Sequence, residues 1–204
     1  PMNIIVVDNF YQDPHAVRSL ALDAAYIDVT QLNYPGYQSR KAFSSPTMVQ
    51  KLEKILERPI DVRPDNLTFG KFRIMLKETG SRLKVHVDGQ CDWTGVLYLN
   101  PPENCHGGTA FFRHRPTGLE GPPPENKIKD YGFETWEELE ASIIEPDTLH
   151  AEAWEETAFV GMKFNRLVLF RGNELFHCHT ESFGNDKESG RMTQNFFFRE
   201  KHHA

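Results

Sequence analysis

From residue 67 onwards, short strand-like stretches follow one another at close intervals, with turn residues between them. They cover residues 67–76, 83–88, 93–100, 109–113, 165–170, 174–179 and 191–198. Apolar side chains at every second position are typical of strands that bury one face. Strands so closely spaced favour an antiparallel sandwich or barrel over βαβ units, so the pattern predicts a mainly β fold.

The first 66 residues predict a strand and two helices that support this sheet. Residues 3–7 form a compact apolar run, and Asp13 followed by Pro14 is typical of a helix start. A second stretch with helical spacing covers residues 46–57, whereas residues 30–46 look like a loop. We therefore expect two helices that cover one face of the sheet.

Residues 114–160 interrupt the strand pattern. They contain three consecutive prolines and a helix-like segment at 135–141. Between residues 115 and 156, twelve acidic residues stand against three basic ones, so the local charge is −9 within a chain of net charge −6. So long an insert in a compact domain is commonly a lid or a binding loop. A solvated acidic excursion is the alternative, and both stay open.

Composition restricts the class of protein. A chain of 204 residues fits a single domain, residues 1–204, and its net charge of −6 without a basic stripe argues against nucleic-acid binding. It has no signal-peptide pattern and no apolar run near the ~20 residues that a membrane span needs, so no membrane partner is expected. Three cysteines without a CxxC motif indicate a reduced, cytoplasmic protein. The sequence does not indicate an oligomeric state.

His86 and Asp88 are the first candidate metal ligands. On a strand, residues two apart face the same way, so the imidazole and the carboxylate would emerge about 7 Å apart on one face. Together they would supply two thirds of the 2-His-1-carboxylate triad that binds non-haem Fe(II). With nine histidines and eleven aspartates in the chain, about 0.5 such triplets are expected by chance, so the triplet alone is weak evidence. A His–Asp pair at a surface strand end is the alternative.

The third ligand has two strong candidates, His177 and His179. Both follow a strand–turn–strand element and, being two residues apart, both face the same way. The residues themselves do not decide between them. His106, His114 and His150 lie in loops or in the insert and fit less well.

Three residues form a candidate receptor for a carboxylate. Arg191 begins the last strand, and Thr193 lies two residues later on the same face. A guanidinium can bind a carboxylate through two parallel hydrogen bonds, and the phenol of Tyr98 could donate a further one. Taken singly, Arg191 is as well explained by a surface salt bridge and Tyr98 by strand packing.

The order of these motifs resembles that of the 2-oxoglutarate/Fe(II)-dependent oxygenases, most closely the prolyl-4-hydroxylase-like branch. The resemblance covers residues 67–113 and 164–198. It rests on His86-x-Asp88, Tyr98-Leu-Asn, Gly107-Gly-Thr, the run 167–170 before Leu175-Phe-His177, and Arg191-x-Thr193. It implies that His86, Asp88 and His177 bind the metal, and that Tyr98, Arg191 and Thr193 bind the co-substrate. The spacing from His177 to Arg191 is longer than usual in the family, which predicts a longer loop at 181–190.

The resemblance also implies a fold and a reaction. The fold would be a double-stranded β-helix, the jelly-roll shared with cupins, with the N-terminal helices packed outside. Fe(II), 2-oxoglutarate and O₂, with ascorbate as a supporting reductant, would hydroxylate a small-molecule or peptidyl substrate and release succinate and CO₂. The acidic insert favours a cationic substrate or partner.

Three other functions are compatible with parts of this pattern. A cupin-type metalloenzyme would use the same ligands without 2-oxoglutarate, which leaves Arg191 unexplained. A metal-free jelly-roll could serve as a binding module. A zinc hydrolase fits less well, because one carboxylate with two histidines and a clamp for an oxo-acid suits iron better.

Overall fold

A computed structural model describes residues 2–30, 36–63, 68–79 and 84–202, and within them the chain is mainly β. The helices are α1 (Pro14–Asp23), α2 (Pro46–Leu56) and α3 (Trp136–Leu139), which continues into a π-helix (Glu140–Ile144). The strands are β1 (Ile4–Val7), β2 (Tyr26–Asp28), β3 (Tyr37–Ala42), β4 (Ile60–Asp61), β5 (Phe69–Met75), β6 (Trp93–Tyr98), β7 (Gly108–His114), β8 (Trp154–Gly161), β9 (Leu167–Phe170), β10 (His177–His179) and β11 (Arg191–Glu200).

The strands form two antiparallel sheets within the described residues. The larger sheet has the order β1-β9-β6-β11-β5-β3-β2, and β4 pairs with β11. The smaller sheet has the order β10-β7-β8. Neighbours such as β6 and β11 are far apart in the chain, so the topology depends on long-range pairing. The structure therefore confirms the expected mainly β fold, which consists of two antiparallel sheets.

The two sheets pack against each other through aromatic side chains. Phe111 of β7 and Phe170 of β9 meet edge to face, with ring centroids 5.1 Å apart. Val96 and Tyr98 of β6 belong to the same buried cluster. Because alternate residues of a strand face opposite ways, Ala110 and Phe112 of β7 point to the other side of the smaller sheet.

The two N-terminal helices cover the other face of the larger sheet, as expected. Asp13 caps α1 by accepting a hydrogen bond from the Ala16 N–H, and Ser45 caps α2 by accepting one from the Met48 N–H. Ala21 of α1 and Leu52 of α2 are fully buried against this sheet. The capping residue Asp13 therefore predicted the first helix correctly, and the apolar spacing predicted the second.

The insert covers the outer face of the smaller sheet. Leu139 and Ile144 are buried there and pack in one cluster with Phe112 and Phe176. The segment is thus a folded layer with an apolar core of its own, although its surface is acidic. The interpretation as a wholly solvated excursion does not hold for these residues.

Four strands lie where the sequence predicted none, namely β2, β3, β4 and β8. Residues 37–42 form β3 within the predicted loop 30–46, of which 31–35 lie outside the described residues. The polar side chains of β3 do not show the apolar alternation by which strands are recognised. One of them, Ser39, is buried and accepts a hydrogen bond from the Phe72 N–H of β5. Residues 154–161 form β8 rather than the end of the insert. As an edge strand with charged residues, β8 lacks a clear period of two.

The predicted strand 83–88 is also corrected. Within residues 84–88, only His86 pairs in a sheet-like manner, through an isolated bridge to His177. Residues 80–83, just before and at the start of this predicted strand, lie outside the described part of the chain, as do residues 64–67 at the start of the predicted strand 67–76. No helix among the described residues is long and apolar enough to cross a membrane.

Candidate metal centre and adjoining cleft

His86, Asp88 and His177 converge on one point. The His177 Nε2 lies 3.1 Å from Asp88 Oδ2, and the His86 Nε2 lies 3.4 Å from Asp88 Oδ1. One ligand atom from each residue lies within 4.8 Å of the other two. Two imidazoles and a carboxylate so arranged match the donor set that favours Fe(II) and leaves coordination positions open.

A backbone bridge between two distant segments brings the histidines together. The His86 N–H donates to the His177 carbonyl at 3.1 Å, and the His177 N–H donates to the His86 carbonyl at 2.9 Å. The two rings then lie with their centroids 4.5 Å apart. The Nε2 of His179 instead lies 3.3 Å from the Ser182 hydroxyl, and His179 is not part of the three-residue cluster. The structure thus brings His177 to the pair that the sequence had singled out.

Both histidines are held in the form that a metal ion requires. The Nδ1 of His86 lies 2.8 Å from the Lys84 carbonyl, and the Nδ1 of His177 lies 2.7 Å from the Leu175 carbonyl. A carbonyl can only accept, so each Nδ1 carries a proton and donates it. In the neutral ring, Nε2 then keeps its lone pair, and it points toward Asp88.

The Asp88 carboxylate is fixed by groups that sequence reasoning did not single out. The Thr94 hydroxyl donates to Asp88 Oδ2 at 2.6 Å, and the Asp88 N–H donates to the Gly172 carbonyl at 2.8 Å. A Cβ at residue 172 would lie 2.1 Å from the Thr94 hydroxyl and 2.6 Å from Asp88 Oδ2, so only glycine fits there. Neither residue forms a sequence motif, because the contacts depend on the fold.

Electrostatics in the cluster favour a cation. Burial opposes the ionisation of Asp88, but His177 and His86 outweigh it and hold the pKa of this carboxyl well below its usual range. Burial likewise opposes the charge on His86, yet the hydrogen bond and charge of Asp88 raise its pKa. The Asp88 carboxylate is therefore charged at neutral pH, and a metal ion can replace the proton that His86 would otherwise carry.

Arg191, Thr193 and Tyr98 lie together on neighbouring strands. Thr193 of β11 is directly opposite Tyr98 of β6, and Arg191 is two residues away on the same face. The Tyr98 hydroxyl lies 2.6 Å from the Thr109 hydroxyl of β7, across the space between the sheets. Burial raises the pKa of Tyr98, and the nearby charge of Arg191 partly offsets this effect.

Arg191 is a buried cation without a described counter-ion. Only 5% of the residue is exposed, its Nε has no hydrogen-bond partner, and no carboxylate of the described residues forms an ion pair with it. A buried guanidinium without a partner is costly. Thr193, by contrast, donates its hydroxyl to Asn195 Oδ1 at 2.8 Å. Arg191 is therefore the group of the three that most clearly lacks an anion.

An open cleft of about 530 Å³ adjoins Asp88. Residues 87–92 form one of its walls, and Trp136, Glu137 and Glu140 of the insert contribute another. This volume is in the usual range of small-molecule sites. The sequence had not singled out Glu140.

Two contacts that follow the π-helix fix the insert beside the candidate metal ligands. The Thr148 hydroxyl donates to the Val85 carbonyl at 2.5 Å, next to His86. Asp147 Oδ2 lies 2.7 Å from the Nε2 of His114, a fully buried histidine of β7. His114, one of the weaker ligand candidates, thus tethers the insert and does not join the metal cluster.

Replacing Thr94 with valine should weaken metal binding by about 10- to 100-fold, because valine keeps the shape but removes the hydrogen bond that orients Asp88. Anaerobic calorimetric titration with Fe(II) measures the change. Thr79→Val is the control, since the Thr79 hydroxyl bonds only to the Leu76 backbone in a turn. Equal affinity in wild type and Thr94→Val would show that Thr94 does not position the ligand.

Comparison with known proteins gives one family match and several distant structural likenesses. The model of a family described as "Family of unknown function (DUF6445)" matches residues 2–198. A search of curated proteins finds no significant match.

Three solved structures illustrate the structural likenesses. HygX from Streptomyces hygroscopicus with nickel, 2-oxoglutarate and hygromycin B is 12% identical, with 96% of this chain and 82% of that chain covered and a TM-score of 0.47. The Fe(II)/α-ketoglutarate-dependent dioxygenase TqaL is 13% identical, with 97% and 82% covered and a TM-score of 0.45. IDO from Bacillus thuringiensis is 13% identical, with 98% and 94% covered and a TM-score of 0.44. Because these scores are low, the functional inference depends on the geometry of this chain alone.

Proposed function

We propose that this chain, which belongs to the DUF6445 family, is an Fe(II)- and 2-oxoglutarate-dependent dioxygenase that hydroxylates its substrate. The observation that carries the proposal is the convergence of His86, Asp88 and His177, with both Nε2 atoms directed at the carboxylate. The buried Arg191 lacks a counter-ion among the described residues, which supports the binding of an anionic co-substrate next to it.

His86, Asp88 and His177 would hold the iron. When bound, Fe(II) supplies the activation of O₂, coupled to the conversion of 2-oxoglutarate to succinate and CO₂ and of a substrate C–H bond to C–OH. The Nδ1–H···O=C hydrogen bonds keep each imidazole oriented, and Thr94 keeps the carboxylate oriented. The protein thus contributes fixed geometry and three of the coordination positions.

Arg191 would bind the distal carboxylate of 2-oxoglutarate. Its Nε is free to donate, and a guanidinium can form two parallel hydrogen bonds with a carboxylate. The hydroxyls of Tyr98 and Thr109 bond to each other, and the Tyr98 hydroxyl also donates to the Val160 carbonyl at 3.5 Å, a long hydrogen bond whose proton Tyr98 would redirect to the same anion. Thr193 would support this group from beside Arg191, although its own hydroxyl is directed to Asn195.

The two antiparallel sheets support the finer assignment of the fold as a double-stranded β-helix, or jelly-roll. The assignment to the prolyl-4-hydroxylase-like branch rests on the order of the sequence motifs alone. The facing aromatic core and the helices outside the larger sheet agree with that architecture. All three cysteines of the protein are free, and Cys91 and Cys178 are buried, which agrees with a cytoplasmic protein.

The test uses the purified wild-type protein. Anaerobic addition of Fe(II) and then 2-oxoglutarate should produce the visible absorption band of the chelated keto acid. Admission of O₂ with ascorbate should release succinate slowly even without substrate. Metal binding without 2-oxoglutarate binding would favour a cupin-type metalloenzyme. Failure to bind Fe(II) would reject the enzyme assignment and favour a binding module.

A further inference from the structure

The cleft beside Asp88 contains carboxylates with no described cationic partner. Glu137 and Glu140 of the insert line it, and neither forms an ion pair within the described part of the chain. Burial, together with the charges of Glu145 and Glu137, raises the pKa of Glu140. The lysines of the insert are paired elsewhere, Lys127 with Asp130 and Lys129 with Glu134.

The remaining charges of the cleft do not cancel this excess. Glu200 is neutralised by Arg58 at 2.9 Å and by Arg171 at 2.8 Å. Asp92 accepts a hydrogen bond from the Glu200 backbone N–H, and Arg199 donates its Nε to the Gln90 carbonyl. His202 lies in the same lining. The side of the cleft formed by the insert therefore stays negative.

Two further groups in the same wall would recognise a cation. The Trp136 indole lines the cleft, and aromatic faces attract organic cations. The Asn173 Oδ1 is buried and has no hydrogen-bond partner, so it is an unused acceptor beside the space that a ligand would fill. A carboxylate, an indole and an amide oxygen together form a site for a positively charged hydrogen-bond donor.

The fold holds this wall close to the metal ligands. Glu140 begins the π-helix, and the charge of His86 is among the influences on its pKa. Trp136 packs on Phe176, next to His177, with ring centroids 6.2 Å apart. Single-turn π-helices often occur at functional sites. A ligand in the cleft would therefore contact Glu140 while another part of it approaches Asp88.

We propose that the substrate carries a protonated amine or guanidinium group, which binds to the Glu140 carboxylate beside its hydrogen bond from Trp136, with Asn173 as an additional acceptor. The cleft and its carboxylates support the binding of a cation there. The further step, that this cation is part of the substrate, rests on the proposed dioxygenase function. The volume of about 530 Å³ fits a small molecule or a single side chain. An anionic substrate would meet repulsion from Glu137 and Glu140.

Matched ligands test the proposal by binding. We would titrate 1,5-diaminopentane, its neutral analogue 1,5-pentanediol, agmatine and a lysine-containing tripeptide, following tryptophan fluorescence and calorimetric heat. The protein would be examined both metal-free and with Ni(II) and 2-oxoglutarate. The diamine or agmatine should bind and the diol should not. Preference for the tripeptide would identify a protein side chain as the source of the same cation.

Variants of the insert make the test specific. Glu140→Gln should weaken binding of the diamine by roughly 5- to 10-fold, since it removes the charge and keeps the shape. Glu138→Gln is the matched control: Glu138 lies on the same helix, outside the cleft, and its side chain accepts a hydrogen bond from the Glu134 N–H that glutamine can also accept. Equal binding of diamine and diol, no amine binding at tens of millimolar, or no effect of Glu140→Gln would overturn the inference.

The outcome is separable from that of the proposed function. Normal Fe(II) and 2-oxoglutarate binding without amine preference would reject the cationic substrate alone. Loss of amine affinity in Glu140→Gln, in a protein that binds no metal, would reject the dioxygenase and keep the cleft as a cation site.

Discussion

Substitution of His177 by alanine should weaken Fe(II) binding by about 100-fold or more, beyond the loss typical for residues that only support a ligand. The side chain is 6% exposed, and its Nε2 lies 3.1 Å from Asp88 Oδ2. Removing it leaves a two-ligand site, so succinate release should fall to the background of free iron. Anaerobic Fe(II) titration and a succinate assay measure both effects.

His179→Ala is the matched control for this prediction. His179 lies two residues further along β10, and its Nε2 contacts the Ser182 hydroxyl rather than the Asp88 carboxylate. Its replacement should change Fe(II) affinity by no more than a few-fold. If His179→Ala lost the metal and His177→Ala kept it, the assignment of the third ligand would be reversed.

Arg191→Met should raise the dissociation constant for 2-oxoglutarate by about 100-fold or more, because two charge-assisted hydrogen bonds would be lost. Fe(II) affinity should be unchanged. The substitution should also leave the ligand-free protein as stable as wild type or more stable, because replacing a buried charge that lacks a partner with an apolar side chain removes its desolvation cost. Keto-acid titration and chemical denaturation provide the two measurements.

Two controls accompany this variant. Arg191→Lys keeps the charge but not the planar fork, so its 2-oxoglutarate affinity should fall between those of wild type and Arg191→Met. Arg63→Met removes an exposed arginine that pairs with Asp61 at the surface and should leave co-substrate affinity unchanged. Unchanged 2-oxoglutarate binding in Arg191→Met would show that this guanidinium does not receive the keto acid.

Both large effects concern residues whose importance follows from burial as well as from motif order. His177 and Arg191 are each about 5% exposed. Apolar packing does not explain the polar nitrogen atoms that each side chain carries into the interior. Asp88 and His86 are more accessible, with side chains 16% and 43% exposed. The candidate metal cluster therefore has a buried side and an open side, and Asp88 is its member that lines the cleft.

The sequence identified those parts of the molecule that depend on neighbouring residues. Asp13 marked the start of α1 because a capping side chain bonds to an N–H only three residues away. The strand around Phe72 was found because its apolar side chains have a period of two. The strands around Val96 and Leu169 are buried at every position and were found as apolar runs bounded by turn residues. The polar strands β3 and β8 were missed because they lack a clear apolar alternation; β8 is a sheet edge, whereas β3 lies between β5 and β2.

The sequence by itself determined the β-rich class, the two helices and a short set of candidate ligands. Only the tertiary structure brings His177, and not His179, into the cluster with His86 and Asp88, since this depends on which backbone segment pairs with His86. It also decided that Thr94 and Gly172 fix Asp88 and that Glu140 of the insert lies beside the metal cluster. The physical reason is that such contacts join segments far apart in the chain, and their geometry is set by sheet pairing and packing rather than by local spacing.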